Sequence, residues 1–143
     1  MVLGVDKSMP VSLVVDDEPS IRKYVSAILR AEGFRTMEAE DGAQALRIVQ
    51  ELGGGVDLIV SDIQMPNGDG LSLARAVRES FPAVPVILVS GNVKADDGFE
   101  FVKKPFLPGA LMSVVRRLVP QRASRRSGRL ADCSARSTVT AGF

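Results

Sequence analysis

The sequence predicts an α/β fold in which a five-stranded parallel sheet has helices on both faces. Short apolar runs with strand character alternate along the chain with segments in which apolar residues recur every three or four positions. This alternation of strands and helices is typical of a parallel sheet. Three of the runs, at residues 11–15, 58–61 and 86–89, are apolar enough to be buried on both faces of the sheet.

The first two strands flank a helix. Three acidic residues, 16–18, follow the strand at residues 11–15. Pro19 then suits the first turn of a helix. Gly33 can terminate this helix, and residues 34–39 form a short second strand. The apolar face of the helix consists of Ile21, Val25, Ile28 and Leu29.

The central strand lies between a second and a third helix. Asp41 is suited to cap the second helix, which ends at the three glycines 53–55. The strand at residues 58–61 then leads into Asp62 and a loop rich in Gly and Pro, and a third helix follows at residues 71–80. The apolar faces of these helices consist of Ala45, Leu46 and Val49, and of Leu71, Ala74 and Val77.

The last part of the sequence predicts two strands and a helix. Residues 85–89 form a fourth strand that ends at Ser90, and residues 99–103 form a fifth that ends at Lys104. Only the nine residues 90–98 link them, whereas a parallel crossover that contains a helix takes a dozen or more. We therefore expect at most about one helical turn in this link. The last helix is marked by Leu111, Val114, Val115 and Leu118.

The composition excludes several classes of site. The chain of 143 residues has a single cysteine, Cys133, which rules out an internal disulfide and a cysteine cluster for a metal, and it has no histidine. A serine–histidine–aspartate triad, a histidine-bound zinc and a phosphohistidine donor are therefore excluded. Any metal must be bound by oxygen atoms, which favours a cation such as Mg²⁺.

Charge and composition divide the chain into three parts. We predict an N-terminal segment at residues 1–10, one domain at residues 11–119, and a basic, flexible tail at residues 120–143. The tail has five arginines and one aspartate. Residues 1–119 therefore contain 13 of the 18 basic residues and 16 of the 17 acidic residues, which gives them a net charge of −3. Because these arginines have no aromatic neighbours, we do not expect the tail to bind nucleic acid specifically. Since no long apolar run or secretory segment is present, we expect a cytoplasmic protein that does not insert into membranes.

Four predicted strands end in residues that can carry chemistry: Asp16 and Asp17, Asp62, Ser90, and Lys104. The carboxyl ends of parallel strands meet at one edge of a sheet, where ligands bind. Two carboxylates about 4 Å apart repel by roughly 4 kcal/mol at an effective dielectric constant of about 20, so a cluster of three calls for a divalent cation. A serine hydroxyl and a lysine ammonium suit phosphate oxygens, and Asp62 is placed to attack a phosphoryl group.

Each of these residues also has a simpler interpretation. An aspartate alone could cap the following helix, a serine after a strand is usually a turn residue, and a lysine before a proline is usually solvated. Their occurrence together, at the ends of four different strands, favours a phosphoryl-transfer site.

The motifs that carry these residues resemble those of the receiver domains of two-component response regulators. The resemblance extends over residues 11–119 and rests on an ordered set: Val-Asp-Asp-Glu-Pro at 15–19, Ser-Asp-Ile-Gln-Met-Pro at 61–66 with Asp-Gly at 69–70, Ser-Gly at 90–91, and Lys-Pro-Phe at 104–106. It implies a flavodoxin-like, doubly wound sheet with strand order 2-1-3-4-5. The chain departs from the family at Gly68, which replaces an apolar residue, and in the short link at 90–98, which implies a shortened or missing fourth helix.

The resemblance implies a metal site with Mg²⁺ as the cofactor and Asp62 as the phosphoacceptor. By position, Asp17 resembles the residue that binds the metal directly and Asp16 the one that acts through water. Gln64 matches the residue that contributes its backbone carbonyl.

The resemblance also implies a switch. Ser90 and Lys104 match the pair that contacts the phosphoryl group, and Phe101 matches the aromatic residue that follows the hydroxyl inward. The peptide bond between Lys104 and Pro105 is expected to be cis, since proline reduces the preference for trans.

The function implied is that of a stand-alone receiver without an effector domain, which is a signalling switch and not an enzyme acting on a separate substrate. A histidine kinase or histidine phosphotransfer protein would donate the phosphoryl group, and a downstream protein would respond. Because the short link leaves little of the face that a fourth helix would form, we expect partners to contact the first and last helices, at residues 21–30 and 111–118.

Two alternatives stay open. A receiver-like scaffold would act by protein contact without phosphorylation. An aspartyl-phosphate hydrolase on a related sheet would need the pattern Asp-x-Asp after the first strand, where this chain has the adjacent acidic residues 16–18.

Overall fold

The computed structural model describes residues 9–65, 70–91 and 98–119, which contain five strands and four helices. In chain order they are β1 (Val11–Val15), α1 (Pro19–Ala31), β2 (Arg35–Ala39), α2 (Gly42–Glu51), β3 (Leu58–Asp62), α3 (Gly70–Ser80), β4 (Val86–Ser90), β5 (Glu100–Lys103) and α4 (Pro108–Leu118).

The five strands form one parallel sheet in the order β2-β1-β3-β4-β5. This is the flavodoxin-like order, and the predicted fold class is confirmed. Because all the strands run in the same direction, their carboxyl ends share one edge of the sheet.

A hydrophobic core lies on each face of the sheet. Residues of α2 and α3 pack on one face, and residues of α1 and α4 pack on the other. Successive residues of a strand point to opposite faces, so Leu13 and Val15 of β1 belong to the first core and Val14 to the second. The same alternation in β3 and β4 confirms that the three central strands are buried on both faces.

Three strands begin one residue later than predicted: β2, β4 and β5, at Arg35, Val86 and Glu100. At β2 the reason is that the N–H of Phe34 donates a hydrogen bond to the carbonyl of Leu29 at 3.0 Å, closing the end of α1 instead of starting a strand. The last helix begins at Pro108, ahead of its first apolar residue, because proline is favoured in the first turn of a helix.

Nine residues separate the end of β4 from the start of β5, and those that the structure describes, Gly91, Gly98 and Phe99, are not helical. The predicted limit of one helical turn concerns residues 92–97, which lie outside the described residues. So do Gly68, residues 1–8 of the N-terminal segment, and the predicted tail. No helix in the described ranges has the length and apolar character that a membrane span requires.

Candidate functional site

Three carboxylates meet at the carboxyl edge of the sheet. Asp16, Asp17 and Asp62 each place an oxygen within 4.8 Å of the oxygens of the other two. Val15 of β1 pairs with Ser61 of β3, so the residues that follow them, Asp16 and Asp62, are brought side by side. The predicted gathering of the three aspartates at this edge is therefore confirmed.

The three carboxylates differ in their exposure to solvent. Asp16 is 4% exposed, Asp62 is half-buried, and Asp17 is exposed. The carboxylate of Asp16 accepts a hydrogen bond from the N–H of Glu18 at 2.9 Å. Its own N–H donates to the carbonyl of Ala39 in β2 at 3.1 Å. The turn after β1 thus holds one buried carboxylate and presents another to solvent.

Lys104 places a positive charge between two of these carboxylates. Its Nζ lies 3.5 Å from Oδ2 of Asp16 and 3.4 Å from Oδ1 of Asp62. The backbone N–H of Lys104 donates to the carbonyl of Ser90 at 2.8 Å, which ties the residue to the end of β4. The peptide bond from Lys104 to Pro105 is cis, as expected.

The electrostatic balance at Asp16 favours an added cation. Burial raises the pKa of its carboxyl group above the usual value, and the nearby charges of Asp62 and Asp17 raise it further. The hydrogen bond from Glu18 and the charge of Lys104 lower the pKa, but only in part. Among the described residues, the ammonium of Lys104 pairs with two of the three carboxylates, so the donor set suits a hard divalent cation with oxygen ligands, as Mg²⁺ is.

The other predicted residues lie at the same edge or just behind it. Ser90 is buried at the end of β4, opposite Lys103 of β5 in the sheet register. Phe101 pairs with Leu88 and packs against the core beneath α2 and α3. Gln64 is exposed, two residues after Asp62. The parts assigned to Ser90, Phe101 and Gln64 in a switch or a metal site stay predictions.

Gly70 also belongs to this site, although in the sequence it stands out only as part of the Asp-Gly motif at 69–70. Its N–H donates to the carbonyl of Ile63 at 2.8 Å, so α3 begins directly against the end of β3. A Cβ atom at this position would collide with the carbonyl oxygen of Asp62 and lie 2.9 Å from Oγ of Ser61. The position therefore requires glycine, and the only signal in the sequence was a glycine at the start of a helix.

A cavity of about 650 Å³ opens beside Lys104. Its lining is largely apolar and joins α1 to the segment after β5, through Ile21, Tyr24, Gly91, Lys104, Pro105 and Phe106. The hydroxyl of Tyr24 donates to the carbonyl of Phe106 at 2.9 Å, and the two rings are 5.7 Å apart. The sequence carries no signal for this cavity, because its walls come from segments about 80 residues apart.

The comparisons with known proteins agree with this arrangement. The sequence profile of the family described as the response regulator receiver domain matches residues 12–116. The sensor kinase CckA of Brucella abortus is 38% identical over 115 residues, which are 75% of this chain and 12% of that protein. The DNA-binding response regulator MtrA of Mycolicibacterium smegmatis is 37% identical over 112 residues, 73% of this chain and 48% of that protein.

A solved structure shows the same similarity in three dimensions. The response regulator TrrA from Thermotoga maritima, in complex with Mg²⁺-BeF, is 32% identical, with a TM-score of 0.69 over 78% of this chain and 100% of that one. The chain spans less than half the length of the two curated relatives named above. With the fold, the carboxylate cluster and the profile match in agreement, the chain belongs to the family of response regulator receiver domains of two-component systems.

Proposed function

We propose that Asp62 accepts a phosphoryl group from a phosphohistidine, carried by a histidine kinase or a histidine phosphotransfer protein. The observation that carries this proposal is the surrounding of Asp62: two further carboxylates within 4.8 Å and the ammonium of Lys104 at 3.4 Å. An exposed aspartate without these neighbours would have no means to balance an incoming phosphate.

In the proposed reaction, a carboxylate oxygen of Asp62 attacks the phosphorus atom of the donor. A P–O bond forms to Asp62 and the P–N bond to the donor imidazole breaks, with its electron pair left on the nitrogen. Lys104 supplies a positive charge toward the phosphoryl oxygens, and the hydroxyl of Ser90 supplies a hydrogen bond. When bound, Mg²⁺ would offset the negative charge of the phosphoryl group and of the carboxylates.

The residues that would hold Mg²⁺ are Asp17 directly, Asp16 through water, Asp62 through its carboxylate, and Gln64 through its backbone carbonyl. The donor chemistry of the cluster supports this set, since carboxylate and carbonyl oxygens are preferred by Mg²⁺. The similar structure of TrrA was solved in complex with Mg²⁺-BeF, which is consistent with a metal at this place.

Phosphorylation of Asp62 would then shift an equilibrium between two conformations, through Ser90 and Phe101, and a downstream protein would bind one of them. We infer that this receiver occupies residues 11–119 and that partners contact α1 and α4. The apolar lining of the cavity at Ile21 and Tyr24 supports contact with α1. Mapping of a bound partner by chemical-shift perturbation to residues 92–101 instead would contradict that assignment. A scaffold that works without phosphorylation is not favoured, since the described residues gather the groups that phosphorylation would need.

The test of the phosphoacceptor is modification by acetyl phosphate, followed by intact-protein mass spectrometry. We expect one phosphoryl group on the parent chain in MgCl₂, none with EDTA, and none on Asp62→Asn. Glu40→Gln is the matched control, because Glu40 follows β2 at the same edge and is exposed outside the cluster. Equal modification of Asp62→Asn, or modification that EDTA does not affect, would contradict the proposal.

The donor itself can be identified by phosphotransfer profiling. Purified histidine kinases and phosphotransfer proteins, each carrying radiolabelled phosphohistidine, would be mixed with the parent chain and sampled at short times. We expect one donor to transfer its label much faster than the others, and no donor to label Asp62→Asn.

A further inference from the structure

The side chain of Arg22, in the second turn of α1, joins three parts of the chain. Its Nη1 donates a hydrogen bond to the backbone carbonyl of Asp16 at 2.7 Å, and its Nε donates to Oε1 of Glu38 in β2 at 3.0 Å. The side chain is only 12% exposed. Arg22 therefore connects α1, the turn after β1 and the edge strand β2.

The carbonyl that Arg22 holds belongs to the peptide group between Asp16 and Asp17. A rotation of this peptide would move Asp17 relative to Asp16, because the same plane carries the N–H of Asp17. The preceding peptide is also held, since the N–H of Asp16 donates to Ala39 of β2. The side chain of Asp17 is exposed, so its direction follows from the backbone that the hydrogen bonds of Arg22 and of the Asp16 N–H hold in place.

The other partner of Arg22 is itself held in place. Oε2 of Glu38 accepts a hydrogen bond from Oγ of Ser26 at 3.1 Å and lies 3.8 Å from Nη2 of Arg30. A guanidinium group has a planar fork of donors that can serve two acceptors in fixed directions, whereas the ammonium of lysine is a point charge. Glu38 thus fixes one side of the fork of Arg22, and the other side is aimed at the carbonyl of Asp16.

We propose that Arg22 is a positioning residue for the metal site: it sets the orientation of the Asp16–Asp17 peptide and thereby the direction of Asp17. This inference rests on the proposed function, since it assumes that the aspartates bind Mg²⁺. The hydrogen bonds of Arg22 go to the backbone carbonyl of Asp16 and to Glu38, and not to the carboxylates of the cluster, so its effect would be transmitted through the backbone.

A positioning role and a simple charge effect predict opposite results. Removal of a positive charge close to a site for a divalent cation reduces repulsion and should strengthen binding of the metal. Loss of a hydrogen bond that orients a ligand should weaken it, by roughly 10-fold or more for residues that support metal ligands. The sign of the change therefore distinguishes the two explanations.

The first measurement is a titration of the full ¹⁵N-labelled chain with MgCl₂. The amide chemical shifts report how much metal is bound. We expect Arg22→Ala to weaken binding by roughly 10-fold or more, and Arg22→Lys, which can reach one acceptor but not both, to weaken it as well. Glu38→Gln should bind Mg²⁺ much as the parent does, because its amide oxygen still accepts from Nε. Arg47→Ala, an exposed arginine on α2, controls for net charge.

The second measurement needs no metal. The N–H of Glu18 donates to the carboxylate of Asp16, so its hydrogen exchange in metal-free protein reports on the shape of this turn. We expect faster exchange in Arg22→Ala and Arg22→Lys than in the parent and in Arg47→Ala. Arg22→Lys keeps the charge and most of the buried stem, so the test can still be made if Arg22→Ala does not fold.

Two results would overturn the inference: Mg²⁺ affinity equal to or greater than that of the parent in the folded Arg22 variants, or unchanged exchange at Glu18. If the parent itself does not bind Mg²⁺, the proposed metal site fails. The exchange rates at Glu18 would then still decide whether Arg22 holds the turn.

Discussion

Asp16 is a carboxylate that the fold buries at a cost. Because burial and two neighbouring carboxylates raise its pKa, its protonated form is favoured in the folded chain. A raised pKa in the folded state favours folding at low pH, and this contribution is lost as the pH rises through the folded pKa. The charged form that a metal site needs is therefore the form that the metal-free protein tolerates less well.

We expect Asp16→Asn to raise the melting temperature of the metal-free chain at neutral pH, because the uncharged amide removes this cost. The difference from the parent should shrink as the pH falls, because the folded parent carboxyl, whose pKa lies above the ordinary 3.8 of an aspartate, takes up its proton before the carboxyl of the unfolded chain does. In MgCl₂ the order should reverse, since the variant lacks one group of the proposed metal site. Thermal unfolding from acid to neutral pH, with and without MgCl₂, measures both effects; a variant less stable than the parent without metal would contradict the argument.

Lys104 lies at the rim of the site and not in the core. Its side chain is 25% exposed and contacts two carboxylates, so its removal should leave no cavity. We expect Lys104→Ala to fold and bind Mg²⁺ but to lose most of the chemical-shift response to beryllofluoride. Lys103→Ala is the matched control, since Lys103 is exposed on β5 one residue earlier. An equal response of Lys104→Ala and the parent would exclude the switch role.

The start of α3 shows how closely a helix can be placed against the end of a strand. Glycine at position 70 allows the contact with the carbonyl of Asp62. We expect Gly70→Ala to lower the free energy of unfolding by about 1–3 kcal/mol, the usual cost of overpacking. Gly109→Ala in α4 is the matched control, because a Cβ there meets nothing within 4 Å and alanine has the higher helix propensity, so this change should not destabilise the chain. Urea unfolding of both variants measures the difference, and equal stability of the two would refute the close approach.

At the scale of the whole molecule, the two cores are built from described residues between Leu13 and Val119. The four helices of the described residues cover the sheet, two on each face. We therefore expect truncation after Val119 to leave phosphorylation of Asp62 unchanged and to shift the melting temperature by less than about 4 °C, a shift that corresponds to roughly 1 kcal/mol for a domain of this size. Calorimetry of the full and truncated chains provides the measurement, and a loss of many degrees would mean that residues 120–143 pack on the domain.

The sequence by itself determined the features of this protein that depend on local pattern. Alternating strand and helix periodicity predicted the parallel sheet, and strand direction then placed Asp16, Asp62, Ser90 and Lys104 at one edge. This placement does not depend on the distances between elements, because the carboxyl ends of all parallel strands lie at the same edge of the sheet. The ordered motifs at these ends were enough to indicate the receiver family.

Only the tertiary structure decided what lies around those residues. The hydrogen bond of Arg22 to the carbonyl of Asp16 and the cavity beside Lys104 have no signature in spacing or composition, and the contact of Gly70 with Asp62 is indicated only by a glycine at the start of a helix. The physical reason is that each depends on how far one element lies from another, and that distance is set by side-chain packing in the two cores. In the sequence, Arg22 is indistinguishable from the other polar residues of an amphipathic helix. Its partners become evident only when α1 is placed against β1 and β2.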